Sequence, residues 1–141
     1  MAASFSEMFA IEGGDFFHAG KASTGIKSML QDLGVDPVII RRVAIASFEA
    51  EMNAVMYARR ATLTFHVTPA RITITVDDEG PGIPDIAAAM REGFSTATPE
   101  MREMGFGAGM GLPNIRKNAD EFAIESIVGR GTHVKFVVIL T

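Results

Sequence analysis

Two short runs, Thr62–Val67 (TLTFHV) and Arg71–Val76 (RITITV), alternate polar and apolar residues without a break. Side chains along a strand point to opposite faces in turn, so each run predicts a strand with one apolar and one polar face. Strands of a doubly wound parallel sheet are usually apolar on both faces, which argues against that class. Between the runs, Thr68-Pro69-Ala70 suits a tight hairpin. Such a chain must cover one face of its sheet and can leave the other to water.

Helices to supply that cover are visible upstream. From about Ala19 to Leu33, the residues Ile26, Met29, Leu30 and Leu33 share a helical face, and Gly34 suits the C-terminal cap. Asp36-Pro37 restarts the chain as an N-cap carboxylate followed by proline in the first turn. A second helix is expected from Pro37 to about Ala58, with an inward stripe of Ile39, Val43, Ala46, Ala50, Ala54 and Tyr57. Its alanines allow close approach to a sheet, and Arg41 and Arg42 lie off the stripe. Met8–Glu12 reads as an edge strand ahead of the Gly13-Gly14-Asp15 turn.

Beyond Val76 the pattern turns irregular. DDEGPGIP at 77–84 is a turn, and Asp85 can cap a short helix reaching Arg91. Gly93 to Gly111 is long, glycine-rich and without strand pattern, which reads as a lid. Leu112-Pro113 opens a helix to about Ala119. Phe122–Ile127 and His133–Leu140 form a last hairpin around Gly129-Arg130-Gly131, and Val137 and Ile139 are candidates for apolar patches on its open face. The layout predicts an α/β two-layer sandwich, a mixed, mostly antiparallel sheet covered on one face by helices. At 141 residues with 48% apolar content, the chain fits one domain over residues 1–141 with a real core.

Composition removes several functions. With no cysteine, disulfides, thiolate catalysis and cysteine zinc sites are excluded. His18, His66 and His133 are far apart and form no spaced metal cluster. The net charge of −4 gives no reason to expect a nucleic-acid partner. No apolar run is long enough to span a membrane, and the N-terminus lacks a secretory pattern, so a cytoplasmic location is the expectation.

Three groups of residues could carry chemistry. Gly107, Gly109 and Gly111 alternate in GFGAGMGLPNI just before a helix. Glycine lets backbone N–H groups approach an anion, and the helix from Leu112 adds free N–H groups and its positive end, making a phosphate cradle. No strand precedes this stretch and no Gly-Lys-Ser/Thr follows it, so it matches neither the Rossmann nor the P-loop pattern. Asp78-Glu79-Gly80-Pro81-Gly82 ends a strand; its carboxylate can accept from an exocyclic amine, and Gly80 and Gly82 admit a flat ring. Glu49 and Asn53 stand one helical turn apart. The first can orient or deprotonate a hydroxyl, and the second offers Mg²⁺ a neutral oxygen. Glu51 points well away from Glu49 around the helix and is the weaker partner.

Taken in order, Glu49-Ala-Glu-Met-Asn53, Asp78-Glu79-Gly80-Pro81-Gly82-Ile83-Pro84, Gly107-Ala-Gly-Met-Gly111-Leu112 and Gly131-Thr132 resemble the N-box, two glycine boxes and final element of the Bergerat-fold (GHKL) ATPases. Within that superfamily the chain looks most like the bacterial anti-sigma-factor and switch-protein serine kinases. GFST at 93–96 and LPNIRKNADEFAIES at 112–126 lean toward the stressosome switch kinases. The resemblance implies ATP and Mg²⁺ as cofactors, with Asn53 on the metal and Glu49 as base or orienter. It implies Asp78 on the adenine amine, Gly80 and Gly82 around the base, and Gly107, Gly109, Gly111 and Leu112 at the phosphates. Thr132 would support Asp78. The implied activity is serine/threonine phosphorylation of a STAS-domain switch or antagonist protein. The alternative is an ATP-gated module that sequesters a sigma factor or activates a PP2C-type phosphatase. A homodimer is left open. One departure stands out: related kinases often carry a lysine after the GFST-like stretch, where this chain has Ala97-Thr98-Pro99.

Overall fold

The computed structural model describes residues 4–91 and 111–140. Among the described residues, nine elements run in the order β1 (Phe5–Glu12), α1 (Lys21–Asp32), α2 (Pro37–Tyr57), β2 (Arg60–Val67), β3 (Arg71–Glu79), α3 (Ile86–Ala89), α4 (Gly111–Asn118), β4 (Glu121–Ile127) and β5 (Gly131–Ile139). The strands form one sheet in the order β1-β2-β3-β5-β4. All four pairings are antiparallel. Helices cover one face, so the expected two-layer architecture holds.

The alternating strands behave as their pattern dictates. Leu63, Phe65 and Val67 on β2, and Ile72, Ile74 and Val76 on β3, are buried under the helices. In the hairpin, the Thr68 hydroxyl oxygen accepts from the N–H groups of Ala70 and Arg71. β1 is an edge strand, three residues longer at its start than Met8 suggested.

Helix ends follow local chemistry. Asp36 accepts from the Val38 N–H and Pro37 occupies the first turn of α2. After α1, Gly34 has φ 74°, its N–H bonds Gln31 O, and the Val35 N–H bonds Leu30 O. That is a Schellman closure, which needs the left-handed residue glycine supplies.

Two expectations need correction. The inward face of α2 is wider than the single stripe: Ile40 is buried where Ile39 is only half-buried, and Ser47, Glu51, Met52 and Val55 are buried too. The helix is clasped by α1, by α4 and by the sheet, so one apolar stripe does not describe it. Val137 contributes no exposed patch, being 3% exposed although it faces away from the helices. On that face the Arg71–Glu121 ion pair joins β3 to β4 across β5. Ile139, on the same face, is half-buried.

Candidate functional site

Along β3 the inward positions read Ile72, Ile74, Val76 and then Asp78. The alternation thus turns a carboxylate under the helical layer. Asp78 is half-buried there, and desolvation raises its pKa above the ordinary carboxylate value. The Thr132 backbone N–H, 2.9 Å from Asp78 Oδ1, works against that rise. Thr132 comes from the start of β5, the strand paired with β3.

The glycine loop after β3 is held by the β4–β5 turn. The Gly80 N–H bonds Arg130 O at 2.9 Å, and the Gly129 N–H bonds Pro81 O at 2.8 Å. The Ile83 N–H donates to Ser126 Oγ at 2.7 Å. Gly82 has φ 75°, and a Cβ there would sit 2.6 Å from Ile127 O. Only glycine fits this approach. Gly80 lies behind the loop, where a Cβ would meet Ala58 Cα at 3.1 Å at the end of α2.

Between this loop, α2 and α4 lies a cavity of about 340 Å³. Asp78 and Thr132 lie at one side and Asn53 at another, with Gly82, Gly111 and Leu112 also lining it. Its walls are apolar: Ala50, Ala54, Tyr57, Val76, Ile83 and Val134. An apolar space with a few polar groups suits a small organic ligand. Among the described residues no hydrogen bond engages the Asn53 amide, and a Cβ on Gly111 would lie 3.0 Å from Asn53 Oδ1. Among the described residues that oxygen is unengaged beside the first turn of α4, and the N–H groups of a helix's first turn favour an anion.

Glu49 stands one turn before Asn53 and lines a different groove, between α1 and α2, with Ser23, Thr24, Lys27, Ala44, Ile45 and Phe48. Desolvation raises its pKa, with a partial offset from Asn114 Nδ2, 3.4 Å from Oε1. The first turn of α4 thus touches both residues of the pair: Gly111 at Asn53 and Asn114 at Glu49. Gly107 and Gly109, and the segment read as a lid, lie outside the described residues.

Sequence reasoning passed over several participants. Glu51 is 3% exposed and accepts from the N–H groups of Gly20, Ala22 and Ser23 at 3.0–3.1 Å, closing the N-terminus of α1 from α2. Its buried place could have been suspected only from a charge within an apolar helix. Ser126 and Asn114 carry no local signal at all. Among the described residues no group of three or more His, Cys, Asp or Glu could hold a metal. No described helix is long and apolar enough to cross a membrane.

The antiparallel sheet with its one-sided helical layer is the architecture of an α/β ATPase domain. The chain belongs to the histidine kinase-like ATPase domain family, which residues 16–138 match. It is 31% identical to the serine/threonine-protein kinase RsbT of Bacillus subtilis over 115 residues, covering 79% of this chain and 80% of that protein. Against the anti-sigma F factor of Caldanaerobacter subterraneus subsp. tengcongensis it is 35% identical over 108 residues, 72% of each chain. It is also 30% identical over 118 residues to the adaptive-response sensory kinase SasA of a Synechococcus strain, covering 77% of this chain and 30% of that one.

Proposed function

We propose that the chain is an ATP-dependent protein serine/threonine kinase acting on a STAS-domain switch or antagonist protein in a bacterial regulatory pathway. The observation that carries this reading is the cavity that has Asp78, pinned by Thr132, on one side and the unengaged Asn53 amide on another. Asp78 Oδ1 is occupied by Thr132, so Oδ2 accepts from the adenine 6-amino group. Ile83, Val134 and Ala54 line the apolar space that receives the base. The phosphates then run toward Asn53, Gly111 and the positive end of α4, and the motif resemblance assigns Gly107 and Gly109 to the same phosphates.

The residues present fit Mg²⁺, since Asn53 Oδ1 is a neutral oxygen open to the cavity and the ion readily shares phosphate oxygens and waters. When bound, Mg²⁺ supplies neutralisation of phosphate charge. Glu49 takes the proton of the attacking serine or threonine hydroxyl as its oxygen bonds the γ-phosphorus and the bond to the ADP oxygen breaks. Its desolvated carboxylate, with a raised pKa, is a better proton acceptor than one in water.

Incubation with ATP, Mg²⁺ and a STAS-domain partner, read by intact mass, tests the reading. Transfer of one phosphoryl group supports it. The likeness to an anti-sigma F factor favours a second reading, an ATP-gated binding module that sequesters a sigma factor or activates a phosphatase. A partner that binds only in the ATP state and is never phosphorylated would decide for that one.

A further inference from the structure

Ser126, near the end of β4, is half-buried and joins two parts of the cavity wall, the glycine loop and the start of β5. Its Oγ accepts the Ile83 N–H at 2.7 Å, lies 2.9 Å from Thr132 Oγ1, and donates to Gly131 O at 3.1 Å. With its single proton directed to Gly131 O, Ser126 accepts from both Ile83 and the Thr132 hydroxyl. Thr132 in turn holds Asp78 through its backbone N–H. Ile83 and Thr132 both line the cavity, the first from the glycine loop and the second from β5. One hydroxyl therefore sets the separation between the apolar wall that would cover a base and the polar edge that would read it.

We propose that Ser126 is a positioning residue for nucleobase selectivity: it keeps the Ile83 wall and the Thr132–Asp78 edge in register, so that a purine with a 6-amino group fits and one with a 6-oxo group does not. This rests on the reading of the cavity as an adenine-nucleotide site. A 6-oxo purine presents an acceptor to the Asp78 carboxylate, and rigid walls deny it any shift that would relieve the repulsion. Rigidity is what Ser126 adds, because leaving the partly buried Ile83 donor without its acceptor is costly, and the bond holds the loop in one place.

Calorimetric titration of the full chain with ATP and with ITP tests this, using wild type, Ser126→Ala and Ser126→Thr. Wild type should favour ATP strongly. Ser126→Ala should bind ATP about 5- to 150-fold more weakly, the range for leaving a donor without its acceptor. Its ATP-over-ITP ratio should fall toward one, whereas Ser126→Thr, which keeps the hydroxyl, should restore most of the ratio. Hydrogen exchange without nucleotide should quicken at the Ile83 amide in Ser126→Ala and leave the β2–β3 ladder unchanged. If Ser126→Ala does not fold, Ser126→Cys carries the same comparison with a weaker acceptor of similar size. An unchanged ATP-over-ITP ratio in the folded variant, even with weaker binding of both, overturns the proposal and leaves the adenine site standing. Failure of the wild type to prefer ATP over ITP overturns the site reading and the proposal together.

Discussion

Asp78→Asn should make the nucleotide-free protein more stable and its nucleotide complex weaker. The wild-type carboxylate is desolvated, so its folded pKa lies above the ordinary value of 3.8. A group whose pKa rises on folding binds more protons in the folded state, and stability then falls as pH increases through that window. The penalty is absent below about pH 4, near the unfolded carboxylate pKa, grows as pH climbs toward the folded pKa, and is complete above it. Asparagine carries no such penalty. It keeps its Oδ1 on the Thr132 N–H, 2.9 Å away in the wild type, and so must turn its NH₂ toward the ligand. That NH₂ faces the adenine amine donor to donor. Loss of a charge-assisted bond is worth about 2 kcal/mol, or roughly 30-fold in affinity. At ATP about 100-fold above the wild-type Kd, the wild type gains about 2.7 kcal/mol of stability and the variant about 0.9 kcal/mol. Urea denaturation at pH 7, with and without ATP and Mg²⁺, reads both effects. The variant should unfold at higher urea without nucleotide and gain about 1.8 kcal/mol less from it. A variant less stable than wild type at pH 7 without nucleotide refutes the desolvation argument. Equal nucleotide gains remove Asp78 from the site.

Other perturbations address other parts of the molecule. Glu49→Gln should leave ATP affinity near wild type and lower single-turnover phosphoryl transfer about 10²- to 10⁴-fold; transfer at the wild-type rate would exclude Glu49 as the base. Asn53→Ala should weaken nucleotide binding in Mg²⁺ more than in EDTA, since the amide is assigned to the metal; equal losses in both titrations would contradict that. Glu51→Ala strands three backbone donors at the start of α1. It should cost about 3 kcal/mol or more in urea unfolding, and a loss below about 0.5 kcal/mol, the usual size of a surface change, would show that the cap contributes little. Ser47 is fully buried with its hydroxyl unpaired among the described residues. Ser47→Ala should therefore stabilise the fold by about 1 kcal/mol, and a fall in the denaturation midpoint would indicate a partner for that hydroxyl.

How much of this was legible in the chain follows from how local each cause is. Strand alternation, the Asp36-Pro37 start, the Gly34 stop and the hairpin at Thr68 all arise within a few residues, and each appears where local chemistry places it. The ordered motifs were legible for the same reason, since Glu49 and Asn53 are fixed by one helical turn and Asp78 by the end of one strand. Tertiary structure decided what these groups meet. Asp78 and Thr132 are 54 positions apart and are joined by the β3–β5 pairing. Asn53 meets Gly111 because α4 packs on α2, and Ile83 meets Ser126 because the β4–β5 turn folds over the glycine loop. Helical spacing says of Glu51 only that it points away from Glu49, yet it is buried at the start of α1, because two helices packed on one sheet leave little of the second exposed. Val137 looked exposed, yet it is buried on the face away from the helices, where an ion pair links the strands either side of its own. Periodicity along the chain reports which way a residue points within its own element; what stands opposite it depends on contacts between distant segments, which no local pattern encodes.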